Sequence, residues 1–167
     1  MTARAAREPE IDRLGREAFI NLFVAAGQLT DQVEAVCKVG GLSMSHYSVL
    51  WVVCLSRGTK GVPMRSIADG VLTRAADVTR LVDRLAKDGY VQRANLDGDR
   101  RVVLIRATPS GRVVFKRITA GVKALHRKQW GSLTTAELRE LRRLLAKTLW
   151  GDAASHERHP LEALPFR

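Results

Sequence analysis

The residues of this chain best suited to chemistry are arginines on one face of a predicted helix. Apolar residues recur at three- and four-residue steps from Val78 to Leu85, which predicts a helix over about 74–88 with one buried face. Arg80 and Arg84 then lie on the opposite face. Because a guanidinium can donate two parallel hydrogen bonds to a guanine edge or contact a phosphate, this face suits a nucleic acid.

A basic β-hairpin is predicted directly after that helix. The segments 90–94 and 102–107 read as strands, and the tip between them, 95–101, contains an Asp-Gly turn followed by Arg100 and Arg101. Narrow A·T-rich minor grooves attract arginine. A helix for the major groove followed by a basic hairpin is the order of a winged helix-turn-helix, which makes DNA binding the leading hypothesis. The alternative is an ordinary solvent-exposed helix and turn.

The predicted DNA contacts extend into the first turn of the same helix. Ala75 would let the backbone approach closely, and the hydroxyls of Thr73 and Thr79 suit phosphate oxygens. Asp77 could accept a hydrogen bond from a cytosine amino group, hold a neighbouring arginine, or only complement the helix dipole. The full set of predicted DNA-binding residues is Thr73, Arg74, Ala75, Asp77, Thr79, Arg80, Arg84, Arg100 and Arg101.

The positive charge of the chain is concentrated on this segment. The 167 residues carry a formal charge of +11, with 28 Lys/Arg against 17 Asp/Glu. Residues 57–117 hold 14 of the basic and 6 of the acidic residues, a net +8, which leaves +3 on the other 106. Double-stranded DNA is therefore the expected partner, and a generally basic surface is the alternative.

The composition indicates a folded cytoplasmic protein. Apolar residues make up 46% of the chain, which is enough for a packed core. The sequence has no long apolar run and no apolar stretch behind its first arginines, so we expect neither a membrane span nor a signal peptide. Two cysteines, Cys37 and Cys54, do not make a disulfide framework.

The rest of the chain is predicted to be helical. A long amphipathic helix is expected over 9–39 and would end at Gly40-Gly41; its length requires a partner surface. Further helices are predicted at about 44–56, 65–71, 109–130 and 135–150, with caps at Ser43, Thr108 and Thr134, and a short edge strand at Val62-Pro63-Met64. The expected fold class is mainly α with a small β-hairpin (α+β).

Four segments of the chain carry a family resemblance. They are GLSMSHYSVLW (41–51), VTRLVDRLAKDGYVQR (78–93), DRRVVLIRAT (99–108) and SGR (110–112). Together they resemble the MarR family of bacterial transcription regulators, in order, over about residues 10–150. The resemblance implies a winged helix-turn-helix domain over 42–108, a helical dimerisation region over 9–39 and 109–150, and tails at 1–8 and 151–167.

The resemblance also implies a function. A homodimer would insert two recognition helices into successive major grooves of a pseudo-palindromic operator. We therefore expect a transcriptional regulator, and specifically a repressor, that is released by a small effector such as an aromatic acid or thioester.

The effector site implied by position lies between the dimerisation helices and the winged domain. Arg16 and His46 are its polar candidates, because either could fix a carboxylate. The implied lining is Arg16, Phe19, Phe23, His46, Tyr47 and Trp51, with Val114 and Ile118. The alternative is that these aromatic residues are packed in the core and that His46 lies at the surface or at a dimer contact.

Three other functions are alternatives to this one. Some members of the family sense oxidants through a cysteine, so Cys37 or Cys54 could make the chain a redox-sensing regulator. A non-specific architectural DNA-binding protein would show the same excess of charge. An enzyme is not expected, because the sequence shows no nucleophile–base pair, phosphate cradle or carboxylate pair. No cofactor or metal is expected either, since residues 156–159 lack the spacing of zinc ligands.

Overall fold

The structure, a computed structural model, describes residues 9–56, 61–71, 78–96 and 99–151, with the backbone alone for residues 69, 96, 99–101 and 150. The elements in these residues are α1 (Glu10–Val39), α2 (Met44–Leu55), β1 (Val62–Pro63), α3 (Met64–Gly70), α4 (Val78–Lys87), β2 (Val91–Leu96), β3 (Asp99–Ala107), α5 (Pro109–Gln129) and α6 (Thr135–Trp150). The expected class, mainly α with a small β component, is confirmed.

Helix α2 lies at the centre of the core. Its sequence is apolar around nearly its whole circumference, as expected of a helix buried on all sides. It contacts α1, α3, α4, α5 and β3. The side chains that are almost fully buried come from most of these elements and include Val49, Leu50, Ile67, Val82, Leu85, Ile105 and Ile118. Through this core, α2 fixes the position of α4 relative to α5.

The three strands form one antiparallel sheet in the order β1-β3-β2. The predicted edge strand exists as Val62–Pro63, paired with Ile105 and Leu104, and Pro63 is tolerated because β1 is an edge. The prediction for Met64 was wrong, because this residue is the first of α3.

The predicted length of the hairpin tip was also wrong. Residues 95–101 were assigned to the tip, but β2 continues to Leu96 and β3 begins at Asp99. Asn95 pairs with Val103, and the register then shifts so that Leu96 pairs with Asp99. Ladder hydrogen bonds join backbones, so pairing extends past the point where the apolar alternation stops.

The predicted helix caps are confirmed. The Ser43 hydroxyl accepts a hydrogen bond from the backbone N–H of His46 at 3.3 Å, and α2 begins immediately after it. At α6, Thr134 and Glu137 make both hydrogen bonds of a capping box, at 3.2 Å and 2.7 Å. These local signals fix where the helices start.

A tight junction links the end of α4 to the start of α5. Gly89 has φ +77°, and its carbonyl accepts hydrogen bonds from the hydroxyls of Thr108 (2.7 Å) and Ser110 (2.9 Å). Thr108 also caps α5 by accepting from the N–H of Gly111 at 3.1 Å. A Cβ at Gly111 would lie 2.0 Å from the Tyr90 carbonyl oxygen, so only glycine allows this approach. The junction therefore positions the sheet and α4 against α5.

Most of the exposed large apolar side chains among the described residues lie on two helices, α1 and α6. Phe19 and Phe23 on α1 are 67% and 72% exposed, and Leu149 on α6 is 67% exposed. Further exposed apolar residues on these helices are Ile11, Leu14, Ile20, Leu22, Val24, Val39 and Leu144. Within the part of the chain that the structure describes, no helix is both long enough and apolar enough to cross a membrane.

Candidate nucleic-acid interface

Helix α4 has one buried and one exposed face, as its sequence predicts. Val78, Val82 and Leu85 are buried in the core, and Leu81 is half-buried beside them. The exposed face presents Thr79, Arg80, Asp83, Arg84 and Lys87. Because the basic side chains point away from the core, this face can approach a polyanion.

Part of the predicted contact set lies outside the described residues. The residues concerned are Thr73, Arg74, Ala75 and Asp77, in the segment 72–77. The backbones of Arg100 and Arg101 belong to β3, whereas the sequence predicts both residues in the turn. Their side chains lie outside the described part of the chain, so the minor-groove contact stays a prediction.

An ion pair joins the exposed face of α4 to the sheet. The Asp83 carboxylate accepts a hydrogen bond from Nη2 of Arg93, on β2. Arg93 is not among the DNA-binding residues predicted from the sequence. The sequence could have indicated its position, because residues two apart lie on the same face of a strand. Arg93 therefore lies on the same face of β2 as Val91, which is buried. Arg93 is therefore a further basic side chain beside α4.

A second ion pair involves one of the predicted DNA contacts. Arg84 Nε lies 2.9 Å from Asp88 Oδ2, with the Arg84 side chain mostly exposed. Exposed i,i+4 pairs contribute only a few tenths of a kcal/mol. This pair is therefore weak enough for a phosphate oxygen to take the place of the carboxylate.

The end of α4 lies beside the start of α2 and the end of α1. Glu34 on α1 accepts a hydrogen bond from the backbone N–H of Met44 at 2.6 Å. His46 Nδ1 lies 2.7 Å from the Ser43 hydroxyl. Burial lowers the pKa of His46, and the Arg84 guanidinium lowers it further, while Asp88 and Glu34 act in the opposite sense. His46 is thus half-buried where α1, α2 and α4 meet.

The residues of the implied effector site occupy two environments. Phe19 and Phe23 stack on each other on the exposed side of α1, with ring centroids 6.2 Å apart, and Arg16 is exposed on the same helix. On α2, His46 and Trp51 are half-buried. The structure thus brings the two phenylalanines together in an exposed position.

Tyr47 lies in the core. Its ring stacks on Phe115 of α5 with centroids 5.8 Å apart, and its hydroxyl lies 3.1 Å from that of Thr119. Burial raises the pKa of Tyr47, and the hydrogen bond with Thr119 opposes the rise. Val114 and Ile118 are buried on the same helix. Tyr47 therefore contacts α5, and its role in effector binding stays a prediction.

Both cysteines are thiols in apolar surroundings. Burial raises the pKa of Cys37 to about 11, and the nearby Glu34 carboxylate adds to the rise. Burial also raises the pKa of Cys54 to about 11, against the opposing effect of Arg112. Because the thiolate is the reactive form, neither environment favours oxidation at neutral pH.

Metal ligation has no candidate in the residues that the structure describes: no group of three or more His, Cys, Asp or Glu side chains comes together there. Among the described residues, the exposed basic side chains of α4, beside the sheet, are therefore the best candidates for binding a ligand, and their charge suits a polyanion.

Comparison with known proteins gives a family match. The model of the MarR family matches residues 42–103, from just before α2 into β3. Among curated proteins, the transcriptional repressor IacR of Pseudomonas putida is 26% identical over 140 residues, which cover 83% of this chain and 82% of that protein. The chain is thus similar to a repressor over most of both lengths.

Solved structures extend this likeness. CouR of Rhodococcus jostii RHA1, solved bound to p-coumaroyl-CoA, is 26% identical with a TM-score of 0.67, covering 93% of this chain and 99% of CouR. Sco3205 of Streptomyces coelicolor, a MarR family regulator solved in complex with DNA, is 22% identical with a TM-score of 0.69, covering 92% and 97%. The likeness to Sco3205 shows the fold alone.

Proposed function

We propose that this chain, a member of the MarR family of transcriptional regulators, is a homodimeric repressor that a small effector releases from its operator. The observation that carries the proposal is the exposed basic face of α4, held beside the sheet by the core and by the ion pair of Asp83 with Arg93. In a winged helix-turn-helix, this is the helix that enters the major groove.

We assign sequence reading to Arg80 and backbone contact to the residues around it. Arg80 lies on the exposed face of α4, from which its guanidinium could donate two hydrogen bonds to a guanine edge in the major groove. Thr79 and Arg84 are suited to phosphates, and Arg100 and Arg101 of β3 to the minor groove. The contacts of Thr73, Arg74, Ala75 and Asp77 complete the proposed set.

The exposed apolar side chains of α1 and α6 support a homodimer. Exposed apolar side chains that follow one another along a helix, as Phe19 to Val24 do on α1, are typical of an interface, and under two-fold symmetry a second copy of the chain would offer the same surface. We therefore propose residues 9–39 and 109–150 as the dimerisation region and 42–108 as the DNA-binding domain. A dimer would place two copies of α4 at a fixed separation, as a pseudo-palindromic operator requires.

The proposed effector is an aromatic acid or its thioester. The relative solved with p-coumaroyl-CoA supports this class of ligand, because that molecule is an aromatic acyl thioester. In this chain, Phe19 and Phe23 offer exposed aromatic rings, and Arg16 and His46 are the proposed partners of an anionic group. Repression is supported by the names of four relatives, IacR, YetL, MdtR and MprA, each called a repressor, whereas BadR is called a transcriptional activatory protein.

In vitro selection from a pool of random DNA duplexes tests the proposal. We expect enrichment of a pseudo-palindrome with half-sites about 10–10.5 bp apart, bound by two chains. A thermal-shift screen of aromatic acids and thioesters should then find a ligand that stabilises the protein and releases the selected duplex. Equal recovery of all sequences, with no ligand-dependent release, would instead identify an architectural DNA-binding protein.

A further inference from the structure

A groove lies between α3, α4 and the sheet, next to the face assigned to DNA. It has a volume of about 470 Å³. Its polar lining comes from Arg65, Thr79 and Arg93, one side chain from each of α3, α4 and β2. The remaining lining residues are Pro63, Met64, Val102 and Val103. Three separate elements thus bring hydrogen-bond donors to one concave surface.

The charge of the groove suits an anion. Arg65, Thr79 and Arg93 are exposed, so their donors are accessible. Among the described residues that line the groove there is no carboxylate. Arginine binds phosphate oxygens through charge-assisted, often bidentate, hydrogen bonds, and a threonine hydroxyl adds a neutral donor.

The ion pair with Asp83 restricts where Arg93 can point. The pair uses Nη2, one of the three nitrogens of a guanidinium that has five N–H donors. Arg93 can therefore keep Asp83 as a partner and still donate to a second acceptor. An arginine held in this way loses less side-chain entropy on binding than one that is free to rotate.

We propose that this groove seats phosphates of the DNA backbone, with Arg65 and Arg93 as their cationic ligands, Thr79 as a hydroxyl donor and Asp83 as the positioning residue of Arg93. The inference rests on the proposed function, because α4 must lie against a duplex for the backbone to reach the groove. It adds Arg65, Arg93 and Asp83 to the interface. Such contacts fix the register of the protein on DNA without reading sequence.

The salt dependence of DNA binding tests the proposal. The affinity of the full chain for a mixed-sequence duplex of about 40 bp would be measured by fluorescence anisotropy between about 50 and 200 mM NaCl. Each phosphate contact contributes about 0.9 to the slope of log K against log salt. Arg65→Gln and Arg93→Gln should therefore each reduce the slope by about 0.9. The matched control, Lys128→Gln in the last turn of α5, loses the same charge and should keep the wild-type slope.

The outcomes separate the groove from the proposed function. If either arginine variant keeps the wild-type slope, the proposal that Arg65 and Arg93 together bind phosphates in the groove is wrong, even if the wild-type chain selects an operator. Failure to select an operator would overturn the proposed function, whereas reduced slopes on the mixed-sequence duplex would still support the groove. Arg93→Lys keeps the charge and should keep the slope. A slope that falls as much in Arg93→Lys as in Arg93→Gln would overturn the phosphate assignment, because the loss would then not follow the charge.

A double-mutant cycle tests the role of Asp83. If Asp83 positions Arg93, the Arg93→Gln substitution should weaken binding less in an Asp83→Ala background than in the wild type, by about threefold or more. Equal effects in the two backgrounds would overturn the positioning role.

Discussion

The hydroxyl of Tyr47 lies 3.1 Å from the hydroxyl of Thr119 and joins α2 to α5 inside the core. The Tyr47 ring stacks on Phe115 in the same contact. Helix α2 also packs against α4, so this contact belongs to a continuous path from α5 to the exposed basic face. A change in the position of α5 therefore has a structural route to the proposed DNA-binding helix.

Tyr47→Phe should lower the free energy of unfolding by about 0.5–1.5 kcal/mol, because it removes one hydrogen bond and keeps the ring. Urea unfolding of both proteins measures the difference. In a Thr119→Ala background the same substitution should cost much less, since the partner hydroxyl is already gone. An equal cost in both backgrounds would show that the hydrogen bond contributes nothing.

Leu149→Glu should shift the protein from dimer to monomer at micromolar concentration, because the side chain is 67% exposed in the single chain and a dimer would bury it. Sedimentation velocity measures the shift. Ala136→Glu is the matched control, since Ala136 is exposed and lies on the opposite face of α6. Dimerisation that is equally strong in both variants would exclude this end of α6 from the interface.

The two thiols should react slowly with a disulfide reagent at pH 7 in the folded protein. Their pKa values of about 11 leave almost no thiolate, and burial limits access. Unfolding in guanidinium chloride should raise the rate strongly, which makes the denatured chain its own control. DNA affinity should also be unchanged after mild peroxide treatment. Fast oxidation with loss of DNA binding would establish the redox alternative for Cys37 or Cys54.

Stability should fall on the acid side of neutrality in part because of His46. Its folded-state pKa is lowered by burial and by Arg84, so the unfolded chain binds the proton more tightly. The contribution is fully present above the unfolded value, near 6.5, and is lost as pH falls below it. His46→Gln should therefore lose less Tm between about pH 7.5 and 5.5 than the wild type. An unchanged pH dependence would contradict this assignment.

The parts of the fold that depend on neighbours in sequence could be predicted. Ser43, Thr108 and Thr134 cap helices by bonding backbone groups three residues ahead, so a single sequence contains the whole signal. The buried face of α4 was equally predictable, because Val78, Val82 and Leu85 are spaced by three or four residues and so lie on one side of a helix.

The contacts between distant segments could not be predicted in this way. Tyr47 and Thr119 are 72 residues apart, and only the packing of α2 on α5 brings their hydroxyls together. The exposed face of α4 follows from its helical period, but the partner of Asp83 on that face depends on how β2 lies beside the helix. The prediction of where the hairpin strands end was wrong for a similar reason. Backbone pairing continues past Asn95, where the sequence has no apolar alternation to indicate it.

In the proposed complex, α4 reads DNA sequence through Arg80. Measuring the affinities of Arg80→Ala, Arg80→Lys and the wild type for the selected operator and for a mixed-sequence duplex tests this role. We predict that Arg80→Ala loses about 1–3 kcal/mol on the operator and much less on the mixed duplex, and that Arg80→Lys loses discrimination while keeping non-specific binding. Equal losses on both duplexes would contradict the claim and make Arg80 a backbone contact.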